Sequence, residues 1–217
     1  RKGRNTHMKL MIASDIHGSA LYCGQMLEAY RREGADRLLI LGDILYHGPR
    51  NDLPKGYAPK EVIAMLNPMK THLLCVRGNC DTEVDQMVLE FPILADYCLL
   101  ELPADGEGAK DRGVGSERFD VCAETISIFA THGHVYHPDH LPPLKDGDIL
   151  LNGHTHIPAC EEVSDADGNR IRYLNPGSVS IPKEGSDHSY MTYENGCFRW
   201  KNMQGEEYMT WKTDSRS

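Results

Sequence analysis

Five times along this chain a short apolar run stops abruptly at histidine, aspartate or asparagine, and that recurrence constrains the fold more than any other feature. Residues 8–14 (MKLMIAS) lead into Asp15, Ile16 and His17. Residues 37–41 (RLLIL) lead into Gly42 and Asp43, and residues 72–76 into Arg77, Gly78, Asn79, Cys80 and Asp81. Residues 125–131 precede His132, Gly133 and His134, and residues 148–151 (DILL) precede Asn152, Gly153, His154, Thr155 and His156. Runs of this length are too short for helices and read as buried strands. Between the first three, residues 20–33 carry apolar side chains at helical spacing and stop at Gly34. Residues 60–66 read as a short helix after a Pro/Gly-rich loop at 47–59, and residues 83–89 read as helical. Strands alternating with helices predict a parallel α/β sheet, whose ligands collect at the carboxyl ends of the strands.

The second half changes character. Residues 103–118 are rich in Gly, Asp and Glu and read as a solvated loop between strands. Residues 119–122 and 125–131 read as a pair of strands, and strand-like runs recur near 159–163, 170–174, 189–193, 198–201 and 208–211. Together they predict a second, mixed or antiparallel sheet. Residues 1–7 are set aside as a leader or expression remnant. Residues 8–217 read as one domain of two packed sheets, because no repeat or long linker divides them.

Charge narrows the function. The chain of 217 residues has 32 acidic against 23 basic side chains, a formal net charge of −9. That argues against long-range attraction to a nucleic-acid backbone or an anionic membrane. No basic arm or aromatic platform suits a long nucleic acid. No apolar stretch approaches the roughly 18–20 residues that span a bilayer, and the first is too short for a signal peptide. The seven cysteines are odd in number and form no C-x-x-C pair, which fits reduced thiols in a cytoplasmic protein.

The strand ends supply seven oxygen or nitrogen donors: Asp15, His17, Asp43, Asn79, His132, His154 and His156. Imidazole with carboxylate suits Mn, Fe, Co, Ni or Zn, whereas an all-oxygen shell suits Mg or Ca. Seven donors exceed one ordinary catalytic site. If one carboxylate bridges, they give four ligands to each of two cations, which can clamp the attacking and leaving oxygens of an in-line phosphoryl displacement. Taken singly these motifs are weak; as an ordered set they are improbable from packing alone.

The order D-x-H, G-D, G-N-x-D, H-G-H and G-H-T-H, over residues 8–182, resembles the calcineurin-like metallophosphoesterases. GDILYHGPRN at 42–51, RGNCD at 77–81 and NPGSVSIPK at 175–183 look like the subgroup of small bacterial YfcE-type phosphodiesterases. The resemblance implies a four-layer α/β/β/α sandwich with two mixed sheets. It implies two divalent metals, manganese first, with Ni, Zn, Fe or Mg as alternatives. It implies hydrolysis of a small phosphodiester by a hydroxide bridging those metals. Carried over by position, Asp15, His17 and His156 would bind one metal, Asn79, His132 and His154 the other, and Asp43 would bridge as an anion with two oxygens free. A phosphomonoesterase or nucleotide phosphatase is an alternative activity. A non-catalytic interaction scaffold, like the retromer subunit that resembles these enzymes, is another, although the retention of all seven donors counts against it. The resemblance also admits a homo-oligomer.

One position departs from the wider family, where G-N-H-D carries a histidine that assists the leaving group. Here it is Cys80, and a neutral thiol donates weakly. The YfcE-type subgroup shares the cysteine. The proton donor is therefore open among His134, His47 and a metal-bound water, and His134 could equally serve only as a hydrogen-bonding neighbour. Asp81 either orients an imidazole or holds the loop, or caps the helix at 83–89. Arg50 and Asn51 are candidate substrate contacts, Arg77 is read as structural, and residues 175–178 (NPGS) as a turn supporting the metal loops.

Overall fold

A computed structural model describes residues 8–103 and 125–213. Its strands are β1 (Leu10–Ala13), β2 (Arg37–Ile40), β3 (Leu73–Cys75), β4 (Tyr97–Pro103), β5 (Thr125–Thr131) and β6 (Ile149–Leu151). They continue with β7 (Pro158–Ser164), β8 (Arg170–Pro176), β9 (Ser189–Glu194), β10 (Cys197–Asn202) and β11 (Glu207–Lys212). The helices are α1 (Ala20–Glu33), α2 (Pro59–Leu66) and α3 (Glu83–Gln86). None is long and apolar enough to cross a membrane.

The strands form two mixed sheets in an α/β arrangement. One has the order β11-β10-β9-β1-β2-β3, the other β4-β5-β6-β8-β7. In the first, β1, β2 and β3 run parallel and β9, β10 and β11 add antiparallel to them. In the second, β5, β6 and β8 run parallel, flanked by antiparallel β4 and β7.

Alternation along β1 and β2 explains the layers. Met11, Ala13, Leu38 and Ile40 face a core with Met26, Leu27 and Tyr30 of α1 and Val62 and Leu66 of α2. Leu10, Ile12 and Leu39 face the opposite way, into a core shared with Ile126, Ile128, Ile149, Leu151, Leu174, Phe198 and Trp200. A strand buried on both faces reads as a continuous apolar run, which is why β1 and β2 are conspicuous in the sequence. Helix α1 starts where the Ser19 hydroxyl accepts the Tyr22 N–H, and ends at Gly34 in the left-handed region, with Arg31 and Arg32 in its last turn. The outer face of the second sheet carries Phe129, Leu150, Ile171 and Tyr173. Among the described residues its cover is loop, through Tyr136, Leu141 and Leu144, and not a helix.

Three local expectations change. The partner of β5 is β4, with Tyr97 opposite Thr131 and Leu102 opposite Ile126. The expected strand at 119–122, the loop at 103–118 and the leader at 1–7 lie outside the described residues, apart from Pro103 at the end of β4. Strands β9 to β11 extend the first sheet and not the second, since β9 pairs with β1 through Leu10 and Tyr193. Helix α3 is one turn, shorter than 83–89, and its N-cap is Thr82, in a reciprocal box with Asp85.

Candidate metal centre

The parallel strands of both sheets deliver their carboxyl ends to one place. Asp15 and His17 follow β1, Asp43 follows β2 and Asn79 follows β3; His132 follows β5, and His154 and His156 follow β6. The loops cross at very short range. A Cβ on Gly78 would fall on the Asp43 backbone and carboxylate, and one on Gly153 would fall on the Ser14 hydroxyl and within 2.9 Å of Asp15 Oδ2. Only glycine permits those two crossings.

Backbone geometry is unusual here. Asp15, His17, Asp43, His154 and His156 all have positive φ, between 47° and 65°. Such conformations cost about 1–3 kcal/mol each and persist where the surroundings over-determine them. The surroundings do so. His17 N–H donates to Asp43 O at 2.9 Å and Gly18 N–H to Ile44 O at 2.8 Å. The Ser178 and Ser180 hydroxyls both donate to Asp15 O, at 3.1 and 3.0 Å. Asn175 Nδ2 donates to Gly153 O at 2.7 Å and to Thr155 Oγ1 at 3.1 Å, so residues 175–178 brace the loops.

The seven side chains converge in two overlapping groups. His17 Nε2 lies 3.5 Å from Asp15 Oδ1 and 3.2 Å from His156 Nε2, which is itself 3.3 Å from Asp15 Oδ1. His132 Nε2 lies 3.1 Å from Asn79 Oδ1 and 3.1 Å from His154 Nδ1. Asp43 Oδ2 stands between the groups, 3.7 Å from His17 Nε2 and 3.4 Å from His132 Nε2. Its other oxygen, Oδ1, accepts the Cys80 N–H at 2.8 Å. One Asp43 oxygen therefore faces both groups, and the expectation of two free oxygens is corrected.

Second contacts fix the imidazole tautomers. His17 Nδ1 donates to Tyr46 O at 2.8 Å, His132 Nδ1 to Leu41 O at 2.6 Å and His156 Nδ1 to Ile181 O at 2.6 Å. When these rings are neutral, each Nε2 then presents a lone pair inward. Lone pairs face other lone pairs and carboxylate oxygens, and buried Asp15 Oδ1 has no hydrogen-bond partner. Protons settle this poorly. Burial opposes charge on His132, but the Asp43 and Asp15 carboxylates raise it to about 9. Burial and the His132 charge then push His154 down to about 4. Inward lone pairs with an orphaned carboxylate oxygen are the donor set of a cation site, and the residues fit two divalent ions.

The other expected residues fall around this cluster. Asp81 is buried, and its carboxylate accepts the N–H groups of Asp43 (2.8 Å), Ile44 (2.9 Å) and Gly78 (2.7 Å). It ties the Asp43 loop to the Asn79 loop; it neither touches an imidazole nor caps α3. Burial and the Asp43 charge push the Cys80 thiol up to about 12, so it keeps its proton. Its Sγ accepts Asn79 Nδ2–H at 3.3 Å, which turns Asn79 Oδ1 toward His132. His134 is exposed, its ring 5.5 Å from that of His132. Burial of part of the ring and the His132 charge lower its pKa, which favours the neutral ring. His47 packs edge-on against Tyr46 and Tyr57, at 4.8 and 5.3 Å between centroids. Arg77 Nε donates to Asp81 O at 3.3 Å, a structural bond. Arg50 and Asn51 line a cavity of about 520 Å³ together with Asp43, Asn79, His154 and His156. Lys183 lines it too and escaped the sequence reading, although it closes the quoted segment NPGSVSIPK.

Two mixed sheets carry metal-capable loops at one edge, the arrangement of a metal-dependent hydrolase, and comparison with known proteins names the family. The model of the calcineurin-like phosphoesterase superfamily domain matches residues 8–195, so the chain belongs to that superfamily. It is 45% identical over 188 residues to phosphodiesterase YfcE of Escherichia coli K12, covering 87% of this chain and 88% of that protein. A solved structure of YfcE, a phosphoesterase from E. coli, superposes with a TM-score of 0.79 at 41% identity, covering 95% of this chain and 100% of that one. A Streptococcus pneumoniae protein at 18% identity and TM-score 0.52, covering 95% of this chain and 98% of that one, shares the fold.

Proposed function

We propose that this superfamily member is a phosphodiesterase that works with two divalent cations, manganese first, in the cytoplasm. Asp15, His17 and His156 would hold one ion, Asn79, His132 and His154 the other, and Asp43 Oδ2 would be shared. The observation that carries the reading is that single oxygen, 3.7 Å from His17 Nε2 and 3.4 Å from His132 Nε2. Two divalent cations held by these residues would supply a nucleophile deprotonated near neutral pH and Lewis-acid stabilisation of the phosphoryl oxygens of an in-line displacement.

The chain's own residues do the rest. The Cys80 N–H holds Asp43 Oδ1, so Oδ2 alone turns inward. Asp81 keeps the Asp43 and Asn79 loops in register. The Cys80 thiol retains its proton and directs Asn79 Oδ1. Without a strong acid at position 80, esters with good leaving groups are favoured, and His134 can offer an N–H to a leaving oxygen. Two carboxylates in the cluster favour a diester over a monoester, because the diester carries less negative charge; the name of the 45% identical relative points the same way. Reduced thiols support the location: all six cysteines among the described residues are free.

The test uses chelator-stripped protein given Mn²⁺, Ni²⁺, Zn²⁺ or Mg²⁺, with an aryl phosphodiester and the matching monoester. Restored turnover, well above background on the diester and lower on the monoester, is expected. A preference for the monoester overturns the diester reading, and metal binding with no turnover of either overturns the catalytic one.

A further inference from the structure

We propose that the natural ester carries a second anionic group, a phosphate or carboxylate on one of its two arms, and that Arg50 and Lys183 bind it. This rests on the phosphodiesterase reading above. Among the described residues, the cavity beside the cluster is lined by Arg50 and Lys183 as its only charged side chains besides the donors Asp43, His154 and His156. Both are exposed, and neither has an ion-pair partner among the described residues. In a chain of net charge −9, two cations lining one cavity without an ion-pair partner among the described residues select for an anion.

A neighbouring cavity has the opposite sign. A second cavity of about 520 Å³ shares His154 and Thr155 with the first, so the two flank the same stretch of the site. Its charged residues, histidines aside, are Asp139 and Glu161, and no lysine or arginine lines it. A phosphodiester has two arms, and this division assigns them. The anionic arm lies toward Arg50 and Lys183; the acidic wall repels it and takes the uncharged arm.

The backbone positions both cations. Asn51 Nδ2 donates to His47 O at 2.8 Å and closes the loop that carries Arg50. Lys183 N–H donates to His156 O at 3.2 Å, and Lys183 O accepts from Ser186 N at 3.0 Å and Ser186 Oγ at 2.7 Å. Lys183 is thus fixed by main chain to the His156 loop, while its flexible stem can follow a ligand.

Two chromogenic probes differ by one group: the 4-nitrophenyl ester of thymidine 5′-phosphate, and the same ester bearing a 3′-phosphate. On the metal-reconstituted enzyme kcat/KM is expected to be about tenfold higher for the second, through KM, as two exposed charge contacts allow. That ratio is expected to fall to within about twofold in Lys183→Met, and to near one in Arg50→Gln/Lys183→Met. Calorimetry with thymidine 3′,5′-bisphosphate against thymidine 5′-monophosphate reads the same preference without turnover. A ratio near one in the unmutated protein, or a preference that survives the double variant, overturns the proposal. Preferential bisphosphate binding that the double variant abolishes, with neither ester hydrolysed, sinks the phosphodiesterase reading and leaves the anion site standing.

Discussion

Glu33 offers a test whose size can be worked from the geometry. It ends α1, where a carboxylate opposes the helix dipole, yet its side chain is only 7% exposed. Lys201 Nζ donates to both its oxygens, at 2.9 and 3.0 Å, Lys9 Nζ to Oε2 at 2.9 Å and the Tyr190 hydroxyl to Oε1 at 2.8 Å. Burial raises its pKa, but these donors outweigh burial and bring it from 4.5 to about 2. A folded pKa below the unfolded one means stability that is present above pH 4.5 and lost as pH falls toward 2. At 1.36 kcal/mol per unit the full contribution is about 3 kcal/mol at pH 7, and about 1.5 kcal/mol remains at pH 3. Glu33→Gln is therefore expected to lower the unfolding free energy by about 3 kcal/mol at pH 7 and by about half that at pH 3. Urea unfolding of the chelated proteins, with equal m-values, is the assay. A difference below about 0.5 kcal/mol at pH 7, or one undiminished at pH 3, would refute the argument.

Two further outcomes are expected. Asp43→Asn weakens both cation sites and lowers turnover by more than about a hundredfold, beyond the loss typical of an outer partner; metal content by elemental analysis and kcat/KM check it, and two retained ions with normal turnover remove Asp43 from the shared position. Gly153→Ala drives a methyl into the Ser14 hydroxyl and Asp15, and is expected to cost about 1–3 kcal/mol in urea melts. An unchanged midpoint would mean that the crossing of the two loops is looser than it is described.

The sequence was legible where the physics is local. Strands β1 and β2 are buried on both faces, so an unbroken apolar run marks them, and their ends mark Asp15, His17 and Asp43. Strand β4 was hidden because, among the described residues, it is an edge: Tyr97 and Leu99 are exposed, while Cys98 and Leu100 turn inward. The sheet joined by β9 to β11 depends on pairing with β1 across the length of the chain, which no local pattern records. The same limit separates the site residues. The seven donors follow from strand ends, whereas Asp81 as a loop tie, the single free oxygen of Asp43 and Lys183 beside the cavity depend on how distant loops meet.

The positive φ angles of Asp15, His17, Asp43, His154 and His156 restrict what evolution can try there. Apart from glycine, the residues that enter that region most readily are asparagine, aspartate and histidine. Those three are also nitrogen and oxygen donors, so the conformational filter and the chemical filter pass nearly the same alphabet. Threonine and other β-branched side chains, which could otherwise retune the centre, are disfavoured by the main chain before their chemistry is sampled. Single substitutions can silence such a centre, through glycine, more readily than they can convert it to a different donor set. Diversification is left to the walls, where Arg50 and Lys183 stand on exposed loops free of that restriction.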